Sequence, residues 1–257
     1  MRTRSIALPL ACALLFLGQE SAAKWGPRSP GALLGPEDGL FLYAAIIEPA
    51  SQQEQQTILG SRHIRIINLG PVVNSPYADY APTVTADGRT LYFVSNRPGS
   101  KLLPDGKNPS HDFWAARKEN PLDTVFFPPF NIDTTTALGD LGVNTRFNEG
   151  VATIAADGRT LFFTGCNRPD GLGSCDIYVT EIEGDRWARP RNLGPNVNSL
   201  YWEAQPSIAP DKSRLYFVSN RPGPHGEGNL DIWYSDFDFE KGEWKPAVNF
   251  GEVNTLG

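Results

Sequence analysis

The chain has 257 residues, with 23 Lys and Arg against 29 Asp and Glu and a formal net charge of −6. That balance, with no cluster of basic residues, argues against nucleic acid as a partner, because neutralising phosphates takes grouped Lys and Arg. A hydrophobic share of 40% supports a packed core, whereas 25 glycines and 22 prolines exceed the usual combined share of about 12% and exclude long uninterrupted helices.

Residues 1–23 carry a three-part secretory pattern. Arg2 and Arg4 precede an apolar run from Ile6 to Leu17 that is too short to span a bilayer, and Ser21-Ala22-Ala23 offers the small residues of a cleavage site. Cleavage after Ala23 is expected, giving an exported chain that begins at Lys24 and resides in the periplasm or at the outer membrane. Cys12 does not fit a lipoprotein, since Pro9-Leu10-Ala11 precedes it and the apolar run continues beyond it. No later stretch is apolar enough for a transmembrane helix.

After residue 67 the chain repeats itself, which fixes the fold before any single element does. Asn74, Asn144, Asn198 and Asn254 recur in a Val-Asn-Ser/Thr element, and Asp87, Asp157 and Asp211 recur at the same steps in a turn element. A longer first interval reflects inserted loop within 101–140, rich in Pro and Phe, which supplies an unusual surface or packs along a blade edge. Within each copy, Asp87-Gly88 and Asp157-Gly158 lie between β-branched and aromatic runs, a hairpin signal that calls for primed turns. Pro210-Asp211-Lys212-Ser213 departs from it and is expected to need a longer turn. An Asn-Arg-Pro turn (96–98, 167–169, 220–222) follows, then a third strand at Asp112, Asp176 and Asp231, and a fourth over 187–192 and 244–249. Four short antiparallel strands per repeat of more than about forty residues predict an all-β chain, a β-propeller of four-stranded blades.

The strings ADGRTLYFVSNRPG, NLGPNVNS and NLDIWYSD resemble the WD40-like periplasmic repeat, the TolB-type propeller repeat. The resemblance covers roughly residues 68–257 and implies an exported bacterial protein of a kind often found beside a peptidoglycan-binding OmpA-type domain. No such domain follows here. The domains expected are a signal peptide at 1–23, an N-terminal segment at 24–67 with outer-strand pieces of a blade (Leu40–Ile47 and His63–Ile67), and repeats at 68–257. The blades run over about 68–140, 141–191 and 192–248, with another begun at 249–257. Three complete copies fall short of the four to eight blades of a closed propeller. An open or partial propeller is therefore expected, or a chain shorter than its relatives, with exposed edges open to self-association.

Three sets of residues stand out. Arg97, Arg168 and Arg221 each precede Pro, and Asp112, Asp176 and Asp231 open the next strand. A guanidinium fork matches a carboxylate, so Arg–Asp pairs locking each blade corner are expected; an anion site is the alternative, and repetition favours structure. Asp79, Glu149 and Glu203 share one register at the start of the first strand, where they form an acidic channel ring able to bind a ligand or else cap local backbone N–H groups. Cys166 and Cys175 occur only in the second copy and, in an exported chain, are expected to form a disulfide. The histidines His63, His111 and His225 are too few and too scattered for a metal centre, so no metal and no cofactor is expected, and His111 and His225, both in loop contexts, read as solvated loop residues. Gly-x-Ser-x-Gly, Walker-type and His-Glu-x-x-His motifs are all absent.

Two function classes follow. The first is a non-catalytic scaffold binding a protein or peptide in the cell envelope, associated with peptidoglycan in the manner of its relatives. The second is a propeller-borne carbohydrate-active enzyme, a glycoside hydrolase or lyase, using acidic residues such as Glu149 and Glu203. Carboxylates in one register of every blade favour the scaffold.

Overall fold

A computed structural model describes residues 66–133, 137–223, 229–251 and 253–255, and the backbone of 57–59 and 62–64. The signal segment, Leu40–Ile47 and His225 lie outside the described residues. A short antiparallel pair, β1 (Thr57–Leu59) and β2 (Arg62–Ile64), precedes three antiparallel sheets. The first contains β3 (Asp79–Val84), β4 (Thr90–Ser95), β5 (Asp112–Arg117) and β6 (Phe130–Asn131). The second contains β7 (Glu149–Ile154), β8 (Thr160–Cys166), β9 (Cys175–Glu183), β10 (Arg186–Trp187) and β11 (Arg191–Asn192). In the third are β12 (Glu203–Ile208), β13 (Arg214–Ser219), β14 (Asp231–Asp238), β15 (Glu243–Trp244) and β16 (Val248–Asn249). The fold is thus a β-propeller of four-stranded antiparallel blades, three of which the described residues build. In the second and third blades the fourth strand is split in two, with Pro190 and Pro246 in the gaps; neither can donate to a ladder.

Blade packing explains why the second strands read as continuous apolar runs instead of alternating. The middle blade's β8 has a sheet on both faces, and β4 has a sheet on one face and Val73 and Phe126 on the other. Tyr92, Val94, Phe113 and Ala115 of the first blade join Leu161, Phe163 and Tyr178 of the second in one core. Phe162, Ile177 and Val179 on the second blade's other face join Leu215, Phe217 and Trp233 of the third. Across the first seam Trp187 lies edge-on to Tyr92 at 5.8 Å, and across the second Trp244 lies edge-on to Phe162 at 6.0 Å. Full burial of such a ring contributes about 1.5–3 kcal/mol.

Two local expectations are corrected. The Asp-Gly hairpins are not two-residue primed turns: Thr85 N–H donates to Thr90 carbonyl, Gly88 N–H to Thr85 carbonyl, and only Gly88 has positive φ, at 69°. The Asp211 turn is no longer than the others, because Lys212 takes the left-handed position itself at φ 58° and its ammonium is held 2.8 Å from Asp157. An ion pair to the neighbouring blade offsets a conformation that side chains normally avoid.

Cys166 and Cys175 stand directly opposite each other in the β8–β9 register and form a disulfide. The reason it occurs only here is visible in the other corners. Asn96 and Asn220 accept hydrogen bonds from Ala78 N–H and Trp202 N–H at 3.0 and 2.9 Å. In the second blade Cys166 takes that asparagine's place, with its N–H on Asn148 carbonyl as Asn220 N–H is on Trp202 carbonyl. Asn167 becomes an extra residue, left-handed at φ 54°. Replacing both cysteines by serine is expected to lower stability by about 2–3 kcal/mol on the loop-entropy account, read as a fall in the urea midpoint. An unchanged midpoint would show that the hairpin needs no covalent closure.

Candidate functional site

Register places the start of each first strand, the end of each second and the start of each third at one end of the blades. Ser95 pairs with both Asp79 and Asp112, Gly165 with Glu149 and Asp176, and Ser219 with Glu203 and Asp231. The strand 2–3 loops and the blade-to-blade connections therefore gather on one face, and the recurring charged residues lie beneath them.

The arginines do not pair with the third-strand aspartates. Arg97 pairs with Asp79 at 2.6 Å, Arg221 with Glu203 at 3.1 Å and Arg168 with Glu149 at 3.6 Å. Arg97 and Arg168 also donate to the carbonyls of Val73 and Gly142, at 2.6 and 2.9 Å, and Arg221 donates to that of Val197. That is the physical reason for the choice: the connection ahead of each first strand offers a buried carbonyl beside the carboxylate, and a guanidinium satisfies both. Each guanidinium also lies over two rings, Phe93 and Trp114, Phe163 and Tyr178, or Phe217 and Trp233.

Asp112, Asp176 and Asp231 do different work. Asp112 accepts from Lys101 N–H and Ser110 hydroxyl, and Asp176 from the N–H groups of Leu172 and Gly173. Each also takes an amide N–H from the fourth-strand asparagine, Asn131, Asn192 or Asn249, at 2.8, 3.0 and 2.9 Å. Those asparagines are bonded in turn by Asn144, Asn198 and Asn254, whose amides also span both backbone groups of Phe113, Ile177 and Ile232. The repeat asparagine is a bridge from one blade to the third strand of the blade before it.

Asp79, Glu149 and Glu203 do not form an open acidic ring. Glu149 and Glu203 are wholly buried, and each of the three carboxylates accepts the backbone N–H and the hydroxyl of the residue after the repeat asparagine: Ser75, Thr145 or Ser199. Burial pushes the Glu149 carboxyl up to about 8, against the Thr145 hydrogen bonds and the Arg168 charge that pull it down, and Arg168 at 3.6 Å makes no hydrogen bond to it. Gly165 stands where the other blades have Ser95 and Ser219, which accept from Arg97 and Arg221 Nε at 3.0 and 2.9 Å. Without that hydroxyl, Arg168 Nε and Nη1 have no hydrogen-bond partner.

What these buried pairs present is a feature that the charged residues had concealed. The hydroxyls of Ser75, Thr145 and Ser199 accept the N–H of Tyr77, Phe147 and Tyr201 at 3.2, 3.0 and 3.1 Å. An aromatic residue thus stands in one fixed turn at the head of every blade. Its sequence signal is an aromatic three residues after each of Asn74, Asn144 and Asn198. Tyr77 and Tyr201 are 49% and 39% exposed, and Leu102, Leu172 and Leu200 are exposed on the same face. Beside Phe147 a groove of about 390 Å³ is lined by Leu103, Pro104, Asp105, Asn148 and Asn167. Close by, Tyr80 hydroxyl meets His111 Nδ1 at 3.1 Å. His111 is half-buried, not a solvated loop residue, and burial pushes its pKa down and that of Tyr80 up to about 12.

The blades, their asparagine bridges and their arginine–acid corners define a β-propeller repeat protein. No family model and no curated protein sequence matches the chain. Among solved structures it is similar to TolB from Acinetobacter baumannii, at 15% identity and a TM-score of 0.42 over 68% of this chain and 33% of that one. It is also similar to the β-propeller domain of the Trilobed protease from Pyrococcus furiosus, which has an open velcro topology (12% identity, TM-score 0.37, 69% and 44% covered). A third is the α-L-arabinofuranosidase PaAbf62A from Podospora anserina (12%, 0.39, 74% and 55%). The chain spans less than two thirds of each, and likeness of this degree bears on neither family nor activity. Among the described residues no helix is long and apolar enough to cross a membrane, and a disulfide fits an oxidising compartment.

Proposed function

We propose that this chain is a non-catalytic, exported module of the WD40-like periplasmic repeat type that binds a protein or peptide in the bacterial envelope through its loop face. One observation carries the reading: the hydroxyls that the recurring carboxylates hold accept the N–H of Tyr77, Phe147 and Tyr201 and fix them in equivalent turns. Rigid aromatic side chains on a polar surface are the usual anchors of protein interfaces, and truncating one typically costs about 2 kcal/mol or more of binding. The buried setting of Glu149 and Glu203 supports binding over glycan hydrolysis, since neither carboxyl reaches the surface.

The test is a triple substitution, Tyr77→Ser, Phe147→Ser and Tyr201→Ser, compared with the parent in crosslinking capture from envelope extract. A specific partner should be recovered at least about tenfold less, with the melting temperature unchanged. Equal recovery would overturn the reading, as would release of sugar from an envelope glycan by the parent protein.

A further inference from the structure

The end of the blades opposite the loop face holds a second feature, which does not depend on the aromatic array. At each seam between blades, an aromatic residue of the second strand receives a tryptophan from the outer strand of the next blade: Tyr92 receives Trp187, and Phe162 receives Trp244. Tyr216 occupies the same place on β13. It lines an open groove of about 480 Å³ with Ala209, Pro210, Asp211, Arg214 and Asp236. Its wall is rigid, because Arg214 binds Asp236 through two hydrogen bonds of 2.6 and 3.0 Å and lies 4.1 Å above the Tyr234 ring. Tyr216 itself packs against Tyr234 and Phe250 at 6.3 and 5.8 Å.

We propose that this groove is a docking socket for a tryptophan with a basic neighbour, carried on a short strand of another polypeptide. Two arguments identify the occupant. First, the groove continues an established series, and both of its earlier members hold an indole. Second, Asp211 and Asp236 outnumber the single cation Arg214 at the rim, so a basic residue beside the tryptophan is favoured, as Arg186 precedes Trp187. An indole buries a large area and gains about 0.5–1.5 kcal/mol more from an edge-on ring partner.

The experiment titrates isotope-labelled protein with an acetylated, amidated peptide of residues 185–191, Asp-Arg-Trp-Ala-Arg-Pro-Arg, followed by NMR. Saturable shifts confined to residues 209–216 and 234–236 are expected. They should vanish when the peptide's tryptophan is replaced by alanine. Affinity should fall about tenfold in both Tyr216→Ala and Ala209→Phe, the second of which fills the groove without removing a contact. The loop-face triple variant should bind as the parent does. Equal shifts with the alanine peptide would reduce the effect to charge and overturn the proposal. So would loss of binding in the loop-face variant. Concentration-dependent dimers that Tyr216→Ala dissolves, with no peptide binding, would assign the groove to a second copy instead.

Discussion

Replacing Arg221 with methionine should cost about 3–5 kcal/mol, because removing one partner of a buried ion pair strands the other. Glu203 has no exposed surface, and its carboxylate would keep only the Ser199 N–H and the hydroxyls of Ser199 and Ser219. The variant also loses the bonds to Val197 carbonyl and Ser219, and the charge over Phe217 and Trp233. The stranded carboxylate is a buried charge without a cation, which folding tolerates poorly. Urea unfolding at neutral pH measures this, and Glu203→Gln in the Arg221→Met background should recover most of the loss. A deficit under about 1 kcal/mol would mean the pair behaves like a surface bridge.

Asn198→Leu should also destabilise the chain, and its damage should be local. Asn198 is 1% exposed; Ile177 N–H donates to its amide oxygen at 2.8 Å, and its amide nitrogen donates to Ile177 carbonyl at 2.9 Å. The outer strand pairs with Tyr178 and Val179 and reaches Ile177 only through Leu193 N–H, which donates to its carbonyl at 3.1 Å, so the asparagine oxygen stands in for a missing strand acceptor. Leucine fills the volume yet leaves the N–H of Ile177 buried and unsatisfied, at roughly 1–3 kcal/mol. The amide of Ile177 should lose its protection from hydrogen exchange while the amides of β13 keep theirs. Retained protection at Ile177 would show that the bridge is dispensable.

The repeat made much of this legible. The asparagine, turn aspartate, arginine and paired cysteines recur or stand out at fixed spacing, and short-range chemistry then gave hairpins, four-stranded blades and a disulfide. The turn at Lys212 escaped because its left-handed conformation depends on Asp157, a residue of the neighbouring blade. The aromatic residues Tyr77, Phe147 and Tyr201 were plain in the repeat, but nothing in their spacing separates an exposed aromatic from a core one. Burial decides that, and burial belongs to the packed blades.

The arginine partners mark where sequence stops and tertiary structure begins. Recurrence alone determined that Arg97, Arg168 and Arg221 hold the frame together with recurring acids. It could not determine which acids, because Asp79 and Asp112 both stand beside Ser95 in the sheet, one on each neighbouring strand. Only the folded chain brings a buried carbonyl of the incoming connection next to the first-strand carboxylate, and a guanidinium with five donors goes where both acceptors lie.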